Sequence, residues 1–162
     1  KTDNGIFEEK GEWYWFYHSD ISKTTNTTTP LFPSGNWDET LSAHDYYPEM
    51  PAGRVTKAVA CVYGGAAVAA GITAGTLQFR SRTGTQADSR DDGEIDTWTP
   101  TAQAVVAVTA GLNSNSDSTL LAGQTSVLTE GMAFGAYAYT DGAFAHTSAN
   151  IGVRVGFWVE PD

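Results

Sequence analysis

Three observations predict an all-β chain folded as one domain, a jelly-roll-like β-sandwich with long loops over residues 1–162. The first is alternation of period two, clearest in Ile151 to Val159, where Ile151, Val153, Val155, Phe157 and Val159 fall on one side of an extended chain. The second is glycine-rich punctuation between short apolar runs, with no segment holding a helical period of 3.6. The third is composition: 162 residues, 41% hydrophobic and 12% aromatic, suffice for one self-supporting core. An immunoglobulin-type sandwich is the alternative, weakened by the lack of a cysteine pair and by the long loops.

Taken in order, residues 6 to 20 read IFEEKGEWYWFYHSD, with Gly11 dividing two extended pieces. Trp13, Trp15 and Tyr17 share one face, and Glu12, Tyr14, Phe16 and His18 the other. Both faces are aromatic, so this strand is expected to be covered on both sides, in the sheet centre or at a subunit contact. Residues 22 to 51 carry prolines at 30, 33, 48 and 51 and keep no period, which predicts a long loop with one helical turn near Trp37 to Leu41. Gly53 to Tyr63 is a strand ending in a Gly64-Gly65 turn, and the glycine-punctuated run after it a short strand or turn. Thr76 to Arg82 alternates, with Leu77, Phe79 and Ser81 inward.

Residues 84 to 100 form the most acidic stretch and read as a loop. Gln103 to Leu112 is apolar on both faces, as in the middle of a packed sheet. Asn113 to Ser118 reads as a polar turn and Leu120 to Leu128 as one more strand. Met132 to Thr140 sets Met132, Phe134 and Ala136 against Gly135, Tyr137 and Tyr139. It turns through Asp141-Gly142, and it and Ile151 to Val159 are expected to be antiparallel neighbours. The total is six or seven strands.

With 19 acidic and 9 basic residues the formal net charge is −10. Affinity for a phosphate backbone comes from lysine and arginine displacing counterions, so nucleic acid is not an expected partner, nor is an anionic membrane surface. No apolar run approaches 18 residues, so no membrane insertion is expected. Cys61 is the only cysteine, and in the run AVACVY it reads as a small buried hydrophobe. The chain opens at Lys1 without methionine or a signal-peptide pattern, and is expected to be part of a longer protein.

No catalytic set can be assembled. There is no Gly-x-Ser-x-Gly, and His18, His44 and His146 are too scattered for a metal triad. In the Asp88 to Asp96 run, Asp88, Asp92, Gly93, Ile95 and Asp96 fit positions of a calcium loop, but Arg90 and Thr99 stand where ligands belong. A calcium ion there is weighed against a solvated acidic turn, and no metal or cofactor is expected. Asn26-Thr27-Thr28 matches a glycosylation sequon. The loop carrying Trp37, Asp38, Asp45, Tyr46 and Tyr47 combines ring faces that stack on sugars with carboxylates that accept from hydroxyls, and is the expected ligand site. The Gly152, Arg154, Gly156 and Trp158 face of the last strand is free of core duty and reads as an assembly surface.

An all-β chain rich in threonine, alanine, glycine and asparagine, ending soon after the strand GVRVGFWVEPD, resembles the C-terminal head domain of a bacteriophage or archaeal-virus fibre or tail-tip protein. The resemblance implies a non-enzymatic domain on the virion surface, joined to other virion proteins. It implies a homotrimer that contacts a host cell-surface receptor, a glycan, through the 22–51 and 84–100 loops. It makes Tyr137, Tyr139, Arg154 and Trp158 the expected subunit contact. Two alternatives stay open: a capsid decoration protein, and a carbohydrate-binding module or small hydrolase of a secreted enzyme.

Overall fold

A computed structural model describes residues 10–21, 24–33, 47–63, 72–84, 104–109, 114–120, 125–147 and 151–162. Among these are twelve strands and no helix: β1 (Glu12–His18), β2 (Thr27–Pro33), β3 (Gly53–Tyr63), β4 (Ile72–Ala74), β5 (Thr76–Gly84), β6 (Ala104–Thr109), β7 (Ser114–Asn115), β8 (Ser118–Leu120), β9 (Val127–Leu128), β10 (Ala133–Thr140), β11 (Ala145–His146) and β12 (Gly152–Pro161). Ten form one sheet in the order β7-β3-β12-β1-β2-β10-β5-β6-β8, with β9 also on β3, while β4 and β11 pair separately. The sheet curls until its ends meet. β7 pairs with β3 and β8 with β6, separated only by Ser116 and Asp117, and Asn115 Nδ2 donates to the Ala107 carbonyl of β6 at 2.7 Å. Curling in this way removes most of the free edge that an open sheet would present.

The result is a flattened, two-layered β-sandwich. One layer is built on β3, β12 and β1, the other on β10, β5 and β6, and β2 passes between them. Its residues 27–31 pair with β10, but only Phe32 and Pro33 pair with β1. Pro30 and Pro33 lack the amide donor of a regular ladder. That shortage fits a strand that turns a corner.

The inward face of β12 is as the alternation predicts: Ile151, Val153, Val155 and Phe157 are fully buried and Val159 nearly so. Phe157 meets Phe134 of the opposite layer edge to face at 5.7 Å, and Phe16 of β1 meets Phe134 at 5.7 Å and Phe157 at 6.4 Å. This aromatic triad ties the layers together, each ring contributing about 1.5–3 kcal/mol by leaving water. Leu77, Phe79 and Ser81 of β5 point inward as expected.

Four expectations are corrected. β10 and β12 are not neighbours, because β1 and β2 lie between them; equal patterns mark equal burial, not adjacency. The proline-rich stretch holds strand β2, because a corner strand tolerates prolines. The expected polar turn at 113–118 instead contributes β7 and the start of β8. Of the strand expected over 120–128, Leu120 ends β8 and Val127–Leu128 form the separate β9, with residues 121–124 outside the described ones. The extra strands are mostly two or three residues long, too short to show a period. The Trp37–Leu41 turn, the Gly64-Gly65 turn and the acidic 88–96 run lie outside the described residues.

Candidate functional site

β1 pairs with β12 over its whole length, setting Trp13 opposite Trp158, Trp15 opposite Gly156 and Tyr17 opposite Arg154. On the other side of β12, Trp158 stands opposite Lys57 of β3, Gly156 opposite Val59 and Arg154 opposite Cys61. Side chains alternate across a strand, and Phe16 and Phe157 take the inside. Trp13, Trp15, Tyr17, Arg154, Trp158, Lys57 and Cys61 therefore share the outer face of this layer. Three indoles from opposite ends of the chain meet there.

Glycines make the meeting possible. A Cβ at Gly156 would lie 2.9 Å from ring carbons of Trp15, and one at Gly11 would run into the Trp158 ring. Trp15 and Trp158 thus lie against bare backbone. Trp13 and Trp15 stack at 5.6 Å with their planes 29° apart, and Trp13 meets Trp158 at 5.5 Å. Trp13 is 37% exposed, while Trp15 and Trp158 are half-buried.

Polar groups frame the rings. Arg154 Cζ stands 5.4 Å from the Trp15 centroid and Lys57 Nζ 5.4 Å from that of Trp158, cation–π contacts that contribute about 0.5–1 kcal/mol each at exposed sites. Trp158 Nε1 donates to Glu160 Oε1 at 3.2 Å, and the Thr56 hydroxyl donates to the same oxygen at 2.9 Å. A bulge between Trp158 and Val159 produces this frame: two residues of β3, Thr56 and Lys57, are both exposed while Val55 and Ala58 stay in the core. Cys61 faces outward and is half-buried, not fully buried as a core hydrophobe would be.

Below the rings, a cleft of about 260 Å³ is lined by Glu12, Trp13, Tyr14, Trp15, Pro33 and Pro48, among others. Burial pushes the Tyr14 phenol above its ordinary pKa, and the Glu12 carboxylate beside it acts in the same direction. Chemically, the face offers flat apolar rings, cations and a hydrogen-bonded carboxylate. Among the described residues no group of three His, Cys, Asp or Glu side chains could hold a metal ion.

Of the expected ligand residues, Trp37, Asp38, Asp45 and Tyr46 lie outside the described residues. Tyr47 is only 9% exposed, and its hydroxyl donates to the Leu31 carbonyl at 3.0 Å. It stacks on Phe16 and belongs to the core. The expected subunit-contact residues divide. Arg154 and Trp158 lie on the indole face, while Tyr137 and Tyr139 lie on the outside of the opposite layer, since Phe134 and Phe157 meet between the two. There Arg82 Cζ stands 3.9 Å from the Tyr137 centroid and Arg80 Cζ 4.5 Å from that of Tyr139. Tyr137 is 2% exposed within its own chain. His18 is buried, accepting at Nδ1 from the Asp20 amide and stacking on Phe32, and His146 stacks on Phe144. His44 lies outside the described residues.

The part of Trp13 and Trp15 was missed in the sequence because the pairing of the first strand with the last has no local signature. The available signal was complementary: W-x-W in one strand and G-x-W in the other, each with one aromatic face left over. No family model matches the chain, and no curated protein matches it either.

Proposed function

We propose that this protein is a non-enzymatic virion surface domain that binds a glycan on the host cell, and that it does so through the indole face of β1, β12 and β3. The observation that carries the reading is the cluster of the exposed Trp13 with the half-buried Trp15 and Trp158, the last two seated on glycine backbone, framed by hydrogen-bonding groups. A pyranose ring presents C–H groups on one face and hydroxyls around its rim. Flat indoles take the first and the frame takes the second, and because the rings are already in place little ordering entropy is lost on binding. The virion setting, the homotrimer and the contact with other virion proteins rest on the resemblance of the chain's build and terminal strand.

The test is a glycan array probed with the purified chain, with Trp13→Ala and Trp15→Ala as controls. Retention of a host glycan, weakened tenfold or more by either substitution, is expected. A chain that retains no glycan refutes the reading and favours a decoration protein. A second reading draws on the apolar rings of the same face, which would also suit a subunit contact. Light scattering separates the two: if Trp13→Ala lowers the mass of the assembly, the indoles are an interface and not a glycan site.

A further inference from the structure

We infer that the glycan taken by the indole face is anionic, carrying carboxylate or sulfate groups on its sugars. The inference rests on the reading of this face as a glycan site and adds the class of ligand.

The chain has a net charge of −10, with only nine basic residues. Three of them, Arg54, Lys57 and Arg154, are exposed on the outer face of β3 and β12. The carboxylate standing among them is Glu160, whose Oε1 already accepts from Trp158 and Thr56 and which pairs across the strands with Arg54. Among the described outward residues of β1, β3 and β12, three cations thus stand against this one carboxylate, the reverse of the balance in the chain as a whole. Lys57 overhangs Trp158 and Arg154 overhangs Trp15, and residues 154 and 158 are separated by roughly 13 Å along the strand. A sugar stacked on the rings thus has a cation at either end of the face.

The surplus of acidic groups elsewhere does not cancel this. Charges separated by more than about 8 Å are largely screened at physiological ionic strength, so the groups in contact decide the sign felt by a bound ligand. A single-stranded nucleic acid also joins stacking to negative charge. It carries a phosphate at every nucleotide, however, and requires a continuous basic groove that three separated cations do not form.

The experiment probes the full chain on an array holding matched pairs: polygalacturonate and its methyl ester, sialyllactose and lactose, heparin and desulfated heparin. Labelled oligo(dT) serves as a separate probe. Arg154→Gln, Lys57→Gln and Trp13→Ala are run beside the parent chain, each first shown by thermal unfolding to be folded. The expected result is binding of an acidic member at least tenfold tighter than of its neutral counterpart. Arg154→Gln and Lys57→Gln each remove most of that preference, and Trp13→Ala removes binding altogether. Equal or tighter binding of the neutral members, or a preference untouched by both charge substitutions, overturns the inference while the glycan reading stands. Retention of no glycan at all overturns that reading and the inference with it. Trp13-dependent retention of oligo(dT) overturns the inference in favour of a nucleic-acid site.

Discussion

Replacing Gly156 by alanine tests whether the indole face is built as described. Gly156 sits in the middle of β12 without a positive φ, so the change removes backbone freedom from the unfolded chain and by itself stabilises by about 0.4–1 kcal/mol. Against this, the new Cβ would stand 2.9 Å from two ring carbons of Trp15 and 3.0 Å from a third. Ordinary contact requires 3.4 Å or more, so the indole must lift off the strand. Overpacking of this kind costs about 1–3 kcal/mol. The clash outweighs the entropic gain, and a net loss of about 1 kcal/mol is expected, or about 2–4 °C in Tm for a chain of this size. Lifting Trp15 also disturbs its stack on Trp13 and the Arg154 contact, so glycan affinity should fall by more than the fold is weakened. Calorimetry and titration with the best array ligand read the two effects. A raised Tm with unchanged affinity would refute the idea that Trp15 lies on the Gly156 backbone.

Three further outcomes are expected. Phe157→Ala removes the ring joining β12 to Phe134 and Phe16, and should cost about 3–5 kcal/mol in denaturant unfolding; a loss below about 1 kcal/mol would mean the layers do not meet there. Gly75 has a φ of +69° and a Cβ there would run into Asp141 Oδ1 and the Phe144 amide, so Gly75→Ala should destabilise by more than the roughly 1–2 kcal/mol that a left-handed residue alone costs. Hydrogen bonds, first that from the Thr76 hydroxyl, hold the Asp141 carboxyl below the usual carboxylate range. A lowered folded pKa means stability that is present above the unfolded value near 3.8 and is lost as pH falls through the folded one. Asp141→Asn should therefore be less stable than the parent at neutral pH and converge with it in acid; a difference in Tm that does not change with pH would contradict this.

Legibility in the sequence follows the range of the physics involved. The inward residues of β12 and β5 were readable because alternation is local: Val153, Val155 and Phe157 declare their face by their own spacing. Adjacency was not readable, because the patterns of β10 and β12 say that each has one buried face and nothing about which strand lies beside it. β2 was hidden because Pro30 and Pro33 break the rule for regular strands, and its turn from one layer to the other has no local signature. Tyr47 looked like a ligand residue by its company of tyrosines and aspartates. Its hydroxyl instead satisfies the Leu31 carbonyl, and a phenol with a buried partner is a core residue whatever its neighbours in sequence.

The same reasoning explains why the indole face could not have been located as a motif. Its rings come from the first and last strands, and the bulge that raises Lys57 comes from a third. None of these strands makes the face alone: β12 by itself would leave Gly156 bare and Trp158 without Trp13, and β1 would leave Trp15 with no backbone to lie on. The face exists only once the sheet has brought its chain ends together. Its geometry is thus set by the ladder hydrogen bonds and by the Phe16, Phe134 and Phe157 core beneath it. Rings fixed in that way have little freedom to lose if a sugar stacks on them, as the glycan reading proposes.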